Sequence, residues 1–179
     1  MTADRDAPEE IVWQGKYIVA RKRGRWEYVS RARGIRAAVI LAIEDGHVLL
    51  VEQYRVPLGR VCLELPAGLV GDDAGCEDEA VETAAIRELE EETGYRAARV
   101  EELGEFHSSP GMVSESFTLL RAHGLRRTGP GGGTDGEDIT VHRVPLAEVA
   151  PFVAARRALG HAVDVRIALL LTGAILGES

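Results

Sequence analysis

The chain is poor in cysteine, in aromatic residues and in surplus positive charge, and each shortage closes off a class of function. Its two cysteines, Cys62 and Cys76, are too few for a disulfide framework and too far apart for a paired-cysteine metal knuckle. They read as free thiols in a reducing compartment, with a catalytic cysteine the lesser alternative. Lys and Arg number 21 against 29 Asp and Glu, a net charge of -8. A sequence-independent grip on nucleic acid draws its affinity from counterions released at a basic face, and this balance supplies no such face. A chain this acidic would handle phosphates only with metal ions in between. Long hydrophobic runs are missing too. The longest, Ile167 to Leu176, is interrupted by Thr172 and Gly173 and is too short to span a bilayer. The first ten residues lack the apolar core of a signal peptide. The expectation is a soluble, cytoplasmic protein whose partner is a small molecule, not nucleic acid or membrane.

What is present suits one domain. At 179 residues, 45% of them apolar, the chain is long enough to bury about 70% of its unfolded surface and too apolar for disorder. Ile11 to Ala20 and Trp26 to Ser30 read as strands joined by a turn at Lys22 to Arg25. Ala37 to Leu41 reads as a strand buried on both faces, and Asp45-Gly46 as the hairpin turn into Val48 to Val51. Further strands are expected at Val61 to Leu65, Arg99 to Phe106, Phe117 to Ala122 and Ile139 to Val144. Residues 71–78 and 128–136 are loops by composition. A helix runs from about Glu77 to Thr93, with Val81, Ala85, Ile86 and Leu89 as its core stripe and Gly94 as its C-cap. Leu146 to Leu159 and Val165 to Leu176 read as closing helices, the second capped by Asp164. This order predicts an α/β fold, a mixed β-sheet between helices. An antiparallel β extension over residues 1–34 precedes a main domain over 35–179.

The end of the first long helix carries the chemistry. Glu88, Glu90, Glu91 and Glu92 crowd the negative pole of the helix dipole, where carboxylates repel one another and the dipole. Glu88 and Glu92 are four apart and share a face, and Glu91, three from Glu88, joins them. Hard divalent cations such as Mg²⁺ or Mn²⁺ relieve such a cluster. The competing reading is a solvated acidic face with Arg87 paired to Glu91.

The flanking residues decide between them. Glu79, seven residues, then Arg87-Glu88-Leu89-Glu90-Glu91-Glu92-Thr93-Gly94-Tyr95 resembles the Nudix box. The register puts the box's leading glycine at Asp73. Gly68 is the equivalent, about five residues further off, which reads as an insertion in the preceding loop. Glu52-Gln53-Tyr54-Arg55, Leu63-Glu64-Leu65-Pro66-Ala67-Gly68 and Ser109-Pro110-Gly111 resemble the ADP-ribose pyrophosphatase branch of that family.

The resemblance implies a Nudix fold, an αβα sandwich around a mixed sheet, and hydrolysis of the diphosphate of a nucleoside diphosphate sugar with two or more Mg²⁺ or Mn²⁺ ions. ADP-ribose, split to AMP and ribose 5-phosphate, is the first choice. GDP-mannose, other sugar nucleotides, dinucleoside polyphosphates, or a non-catalytic nucleotide sensor are the alternatives. It implies Glu88, Glu91, Glu92, Glu137 and the carbonyl of Ala67 as metal ligands, with Arg87 orienting the glutamates. It implies Arg55, Glu64 and Pro110 as substrate contacts. Trp26 and Glu27 join them, reaching across a homodimer built by the N-terminal strands. The water-activating base falls to Asp135, with Glu115 and Glu137 as alternatives. The glycines at 131–133 would let that loop swing over bound substrate.

Overall fold

The computed structural model describes residues 2–32, 35–71, 79–134 and 136–172. Asp135, Cys76, most of the 71–78 loop and the far end of the second closing helix lie outside the described residues.

After a one-turn helix α1 (Thr2–Arg5), strands β1 (Glu9–Gln14), β2 (Ile18–Arg23) and β3 (Trp26–Arg31) form a separate antiparallel sheet. The long first strand expected over 11–20 is therefore two strands, folded back at Gly15 to Tyr17, where the Gly15 amide donates to Ile18 O. The hairpin expected at 22–25 is present, with Gly24 at φ 58°.

The main sheet has eight strands. They are β4 (Arg36–Glu44), β5 (His47–Arg55), β6 (Arg60–Glu64), β7 (Ala67–Val70), β9 (Arg99–His107), β10 (Ser116–His123), β12 (Thr140–Pro145) and β13 (Ala162–Val163). Short β8 (Tyr95–Arg96) and β11 (Arg126–Arg127) pair apart from it. The path runs β13-β6-β5-β4-β10-β9, with β12 on β5 and β7 on β4. β4 pairs β10 in parallel and β5 and β7 antiparallel, so the sheet is mixed. The β4–β5 turn is at Asp45-Gly46, both at positive φ.

Strand alternation places the core on both faces. Ala38, Ile40 and Ala42 of β4 pack with Leu120 and with Ala84, Ala85 and Leu89 of helix α2 (Val81–Thr93). Val39 of β4 packs the other way, with Leu50, Leu63, Val149 and Val153 of α3 (Val149–Ala158), and with Ile167. The result is the expected αβα sandwich. Helix α2 starts four residues later than expected, because Ala80 is extended at φ -66°, ψ 139°. The second closing helix is a 3-10 turn over Val165–Leu170, with Asp164 accepting from the Arg166 amide as its cap. Among the described residues no helix is long and apolar enough to cross a membrane. Cys62 is buried and its thiol is pushed up to about 12 by that burial, which leaves it inert.

Candidate active site

Helix α2 delivers its carboxylates against the start of β7. Gly68 is the reason they fit. A Cβ there would lie 2.0 Å from Glu88 Cδ, so only glycine leaves room for this carboxylate. Beside it, Glu92 is 7% exposed, and its Oε2 accepts from the Ala67 amide at 3.0 Å. Burial pushes Glu92 up to about 8, and the charges of Glu88 and Glu137 add to the shift against the pull of the amide and Arg55. Glu88 is raised for the same first reason, burial, with Glu91 and Glu137 adding and Arg87 opposing.

One cation serves most of the cluster. Arg87 reaches Glu88 at 2.9 Å, Glu91 at 3.2 Å, Glu79 at 3.4 Å and the carbonyl of Leu69 at 3.5 Å. The pairing of Arg87 with Glu91, which belonged to the competing reading of a solvated acidic face, is thus present, with Arg87 shared among three carboxylates. Among the described residues no three acid or histidine side chains are gathered into a ready ion site. Glu88 and Glu91 are turned to Arg87, and Glu92 to the Ala67 amide. The donor set still fits a divalent cation. It is hard oxygen throughout, it sits in a cradle that a Cβ would fill, and two of its carboxylates are raised by burial, with neighbouring carboxylates adding to the shift.

The late loop closes onto this cluster. Amides of Gly132 and Gly133 donate to the last carbonyls of α2, Glu92 O at 2.8 Å and Glu91 O at 3.0 Å. Gly94 ends the helix at φ 72°, and Gly131 lies so close to it that a Cβ on either would meet backbone within 2.5 Å. These glycines clamp the loop to the helix end, where a swinging hinge was expected. Past the clamp, Glu137 accepts from the Thr134 amide at 2.9 Å and lies close enough to Glu88 and Glu92 to raise both.

Arg55 at the end of β5 makes a bidentate pair with Glu64, at 2.6 and 3.0 Å. Glu64 is 5% exposed, and a second arginine, Arg166, approaches it at 3.6 Å while gripping Asp164 at 2.6 and 2.8 Å. Burial pushes Asp164 up, but Arg166 outweighs it and the group ends below the usual carboxylate range. Arg166 was not among the expected site residues. Its one sequence signal is a lone cation inside the apolar run 165–171.

Other expected residues stand apart. Glu115 is paired to Arg31 of β3, and among the described residues no contact joins it to Glu88 or Glu92. Trp26 and Pro110 meet in a hollow of about 470 Å³, between β3 and the 110–114 loop, rimmed by Arg5, Arg23 and Arg25. Glu27, beside Trp26, is exposed and faces Lys22 across the hairpin.

A third buried carboxylate, Glu52, entered the sequence reading only as part of the run Glu52 to Arg55, with no role. Glu52 Oε2 meets His142 Nε2 at 2.7 Å, and Oε1 meets His161 Nδ1 at 2.9 Å. Arg156 of α3 stands 2.9 Å from the same Oε1. Burial pushes Glu52 up, but the two imidazoles and Arg156 prevail and hold it low.

A sequence model of the NUDIX domain matches residues 32–163. An uncharacterized Nudix hydrolase of Schizosaccharomyces pombe is 33% identical over 83% of this chain and 76% of its own length. An ADP-ribose pyrophosphatase of Mycobacterium tuberculosis is 40% identical over 64% of this chain and 54% of its own. The crystal structure of an ADP compounds hydrolase superposes with a TM-score of 0.68 at 24% identity, over 96% of this chain and 94% of that one. This last likeness speaks for the fold alone.

Proposed function

On the premise that this chain belongs to the Nudix family, we propose that it hydrolyses the diphosphate bond of a nucleoside diphosphate sugar, ADP-ribose first. One observation carries the reading. Glu88 lies against Gly68 and Glu92 against the Ala67 amide, both raised by burial, with Glu91 sharing Arg87 with Glu88 and the charge of Glu137 acting on both raised groups. A fold seeking only stability would neutralise these groups. The relatives named ADP-ribose pyrophosphatase support the substrate class, and one named GDP-mannose pyrophosphatase keeps that sugar as the alternative.

Glu88, Glu91, Glu92, Glu137 and the Ala67 carbonyl would hold Mg²⁺ or Mn²⁺. When bound, such ions neutralise charge on the leaving phosphate and lower the pKa of an attacking water. Arg87 keeps Glu88 and Glu91 oriented. Arg55 offers a planar fork to the diphosphate once Glu64 shares it. Among the described residues of the late loop, Glu137 has a charge that reaches Glu88 and Glu92. Asp135, two residues before it, is the base by resemblance, and Asp135→Asn should cut kcat by about 10²–10⁴. If Glu115→Gln is the damaging change and Asp135→Asn is mild, the base lies on the 110–115 loop.

The N-terminal sheet supports a homodimer. Ile11, Val12, Trp13, Tyr17 and Ile18 are all more than 40% exposed on β1, β2 and their turn. Light scattering should give twice the mass of one chain, and Val12→Glu should halve it. The activity itself is tested by turnover of ADP-ribose, GDP-mannose, UDP-glucose, diadenosine polyphosphates and NADH with Mg²⁺ or Mn²⁺. ADP-ribose should lead by about tenfold in kcat/KM. No turnover of any, with ADP-ribose still raising the melting temperature, would replace the enzyme with a sensor.

A further inference from the structure

Two arginines flank one carboxylate oxygen. Arg55 Nη2 donates to Glu64 Oε2 at 3.0 Å, and Arg166 Nη2 stands 3.6 Å from the same atom. We infer that Arg166 is a positioning residue that takes over Glu64 Oε2 when Arg55 turns to the diphosphate, an assignment that rests on the hydrolase reading above.

Burial creates the need for it. Glu64 is 5% exposed, so its charge must keep a partner. Arg55 spends Nε and Nη2 on that carboxylate, which leaves only one edge of its guanidinium open. A phosphate is gripped best by two parallel N–H groups. If Arg55 yielded Nη2 to the substrate with no replacement, Glu64 Oε2 would be left unsatisfied in the interior. With Arg166 in its place, Arg55 keeps the Nε bond to Oε1, 2.6 Å long, and turns the rest of its fork to the diphosphate.

The strand pairing supplies the replacement. β13 pairs β6 in parallel, Val163 beside Leu63, and the Asp164 amide donates to Leu63 O at 3.0 Å. Asp164 is thereby fixed next to Glu64. Its Oδ1 accepts from the Arg166 amide at 2.8 Å and from Nε at 2.6 Å, and its Oδ2 from Nη2 at 2.8 Å. The Phe117 ring lies 5.4 Å from the same guanidinium. Held this way, Arg166 Nη2 has one hydrogen for Asp164 and a second for Glu64. Closing 3.6 Å to hydrogen-bond length takes a shift of less than about 1 Å. Two carboxylates face two guanidiniums, so the handover brings no new charge into the interior. The rival role for Arg166 is a brace that pins the turn after β13 to β6, which would act on stability and not through Glu64.

The test compares Arg166→Gln, Glu64→Gln and the double variant with wild type. Each is read by kcat and KM for ADP-ribose with Mg²⁺. Calorimetry of the methylene-bridged ADP-ribose analogue, whose P–C–P link resists hydrolysis, gives a Kd. Arg166→Gln should raise KM and Kd by about tenfold, with kcat changed far less. In the Glu64→Gln background the same change should cost less than about twofold, because a neutral side chain needs no second cation. Arg166→Lys guards against misfolding. It leaves a charge beside Asp164 but no fork to span both carboxylates, so KM should still rise by about threefold, and only while Glu64 is present. Unchanged KM and Kd in folded Arg166 variants would reduce Arg166 to a brace. A loss equally large in the Glu64→Gln background would make it a direct phosphate contact. Either result overturns the assignment. If the wild type hydrolyses no diphosphate, the hydrolase reading fails, while the calorimetry still decides the handover. An analogue that does not bind overturns the handover as well.

Discussion

Glu52 and Glu92 are both nearly closed to solvent, each 7% exposed, yet their environments drive them in opposite directions. Glu52 is met by two imidazoles and a guanidinium and stays low. Glu92 has one backbone amide, the pull of Arg55 and two carboxylate neighbours, and its burial takes it up to about 8. Burial raises both, Glu92 the more because it lies deeper, and at Glu52 the partners reverse the sign. The first arrangement ties β5, β12, α3 and the loop at His161 together. The second is missing positive charge. A site left electrostatically unfinished by its own chain is one built to be completed by something that binds.

The sharpest way to break this contrast is Glu92→Gln. Turnover should fall below a tenth of wild type, while the metal-free protein melts no lower, because the change removes a carboxylate that the fold does not satisfy. Next is Gly68→Ala. The new Cβ would push Glu88 aside, and a displacement of about 1 Å near the chemistry can cost about 10² in kcat. Glu52→Ala should do the reverse of Glu92→Gln. Stripping the partner from half-buried Arg156 and the two histidines lowers the melting temperature, with kcat far less affected. The smallest effect is in pH. The folded pKa of Glu52 is depressed, so the stability it contributes is present above its unfolded value and lost as pH falls through the lower folded one. The acid side of the melting profile should be shallower in Glu52→Gln. An unchanged slope would mean that other carboxylates dominate acid unfolding.

Local chemistry was legible in the sequence and distant pairing was not. Asp45-Gly46 announced its hairpin because those two residues accept positive φ. The carboxylates of α2 were legible because their spacing along one helix fixes their common face. The fold at Gly15 to Tyr17 went unseen, since Lys16 and Tyr17 carry no turn signal. The 131–133 glycines looked like a hinge because composition shows their freedom and not the helix carbonyls that use it. His142 and His161 lie 90 and 109 positions from Glu52; the pairing of β12 on β5 brings in the first, and that of β13 on β6, beside β5, brings in the second. Arg166 likewise gains its meaning from Glu64, a residue of a different strand.

The most direct test of the unfinished site is the melting temperature of wild type and Glu92→Gln, titrated with Mn²⁺. A ligand at 100 times its Kd stabilises by about 2.7 kcal/mol. For a chain of this size that raises the wild-type melting temperature by about 5–10 °C. Glu92→Gln should shift by less than half as much, and Glu52→Gln by as much as wild type. Equal shifts in wild type and Glu92→Gln, or none in either, would contradict the account.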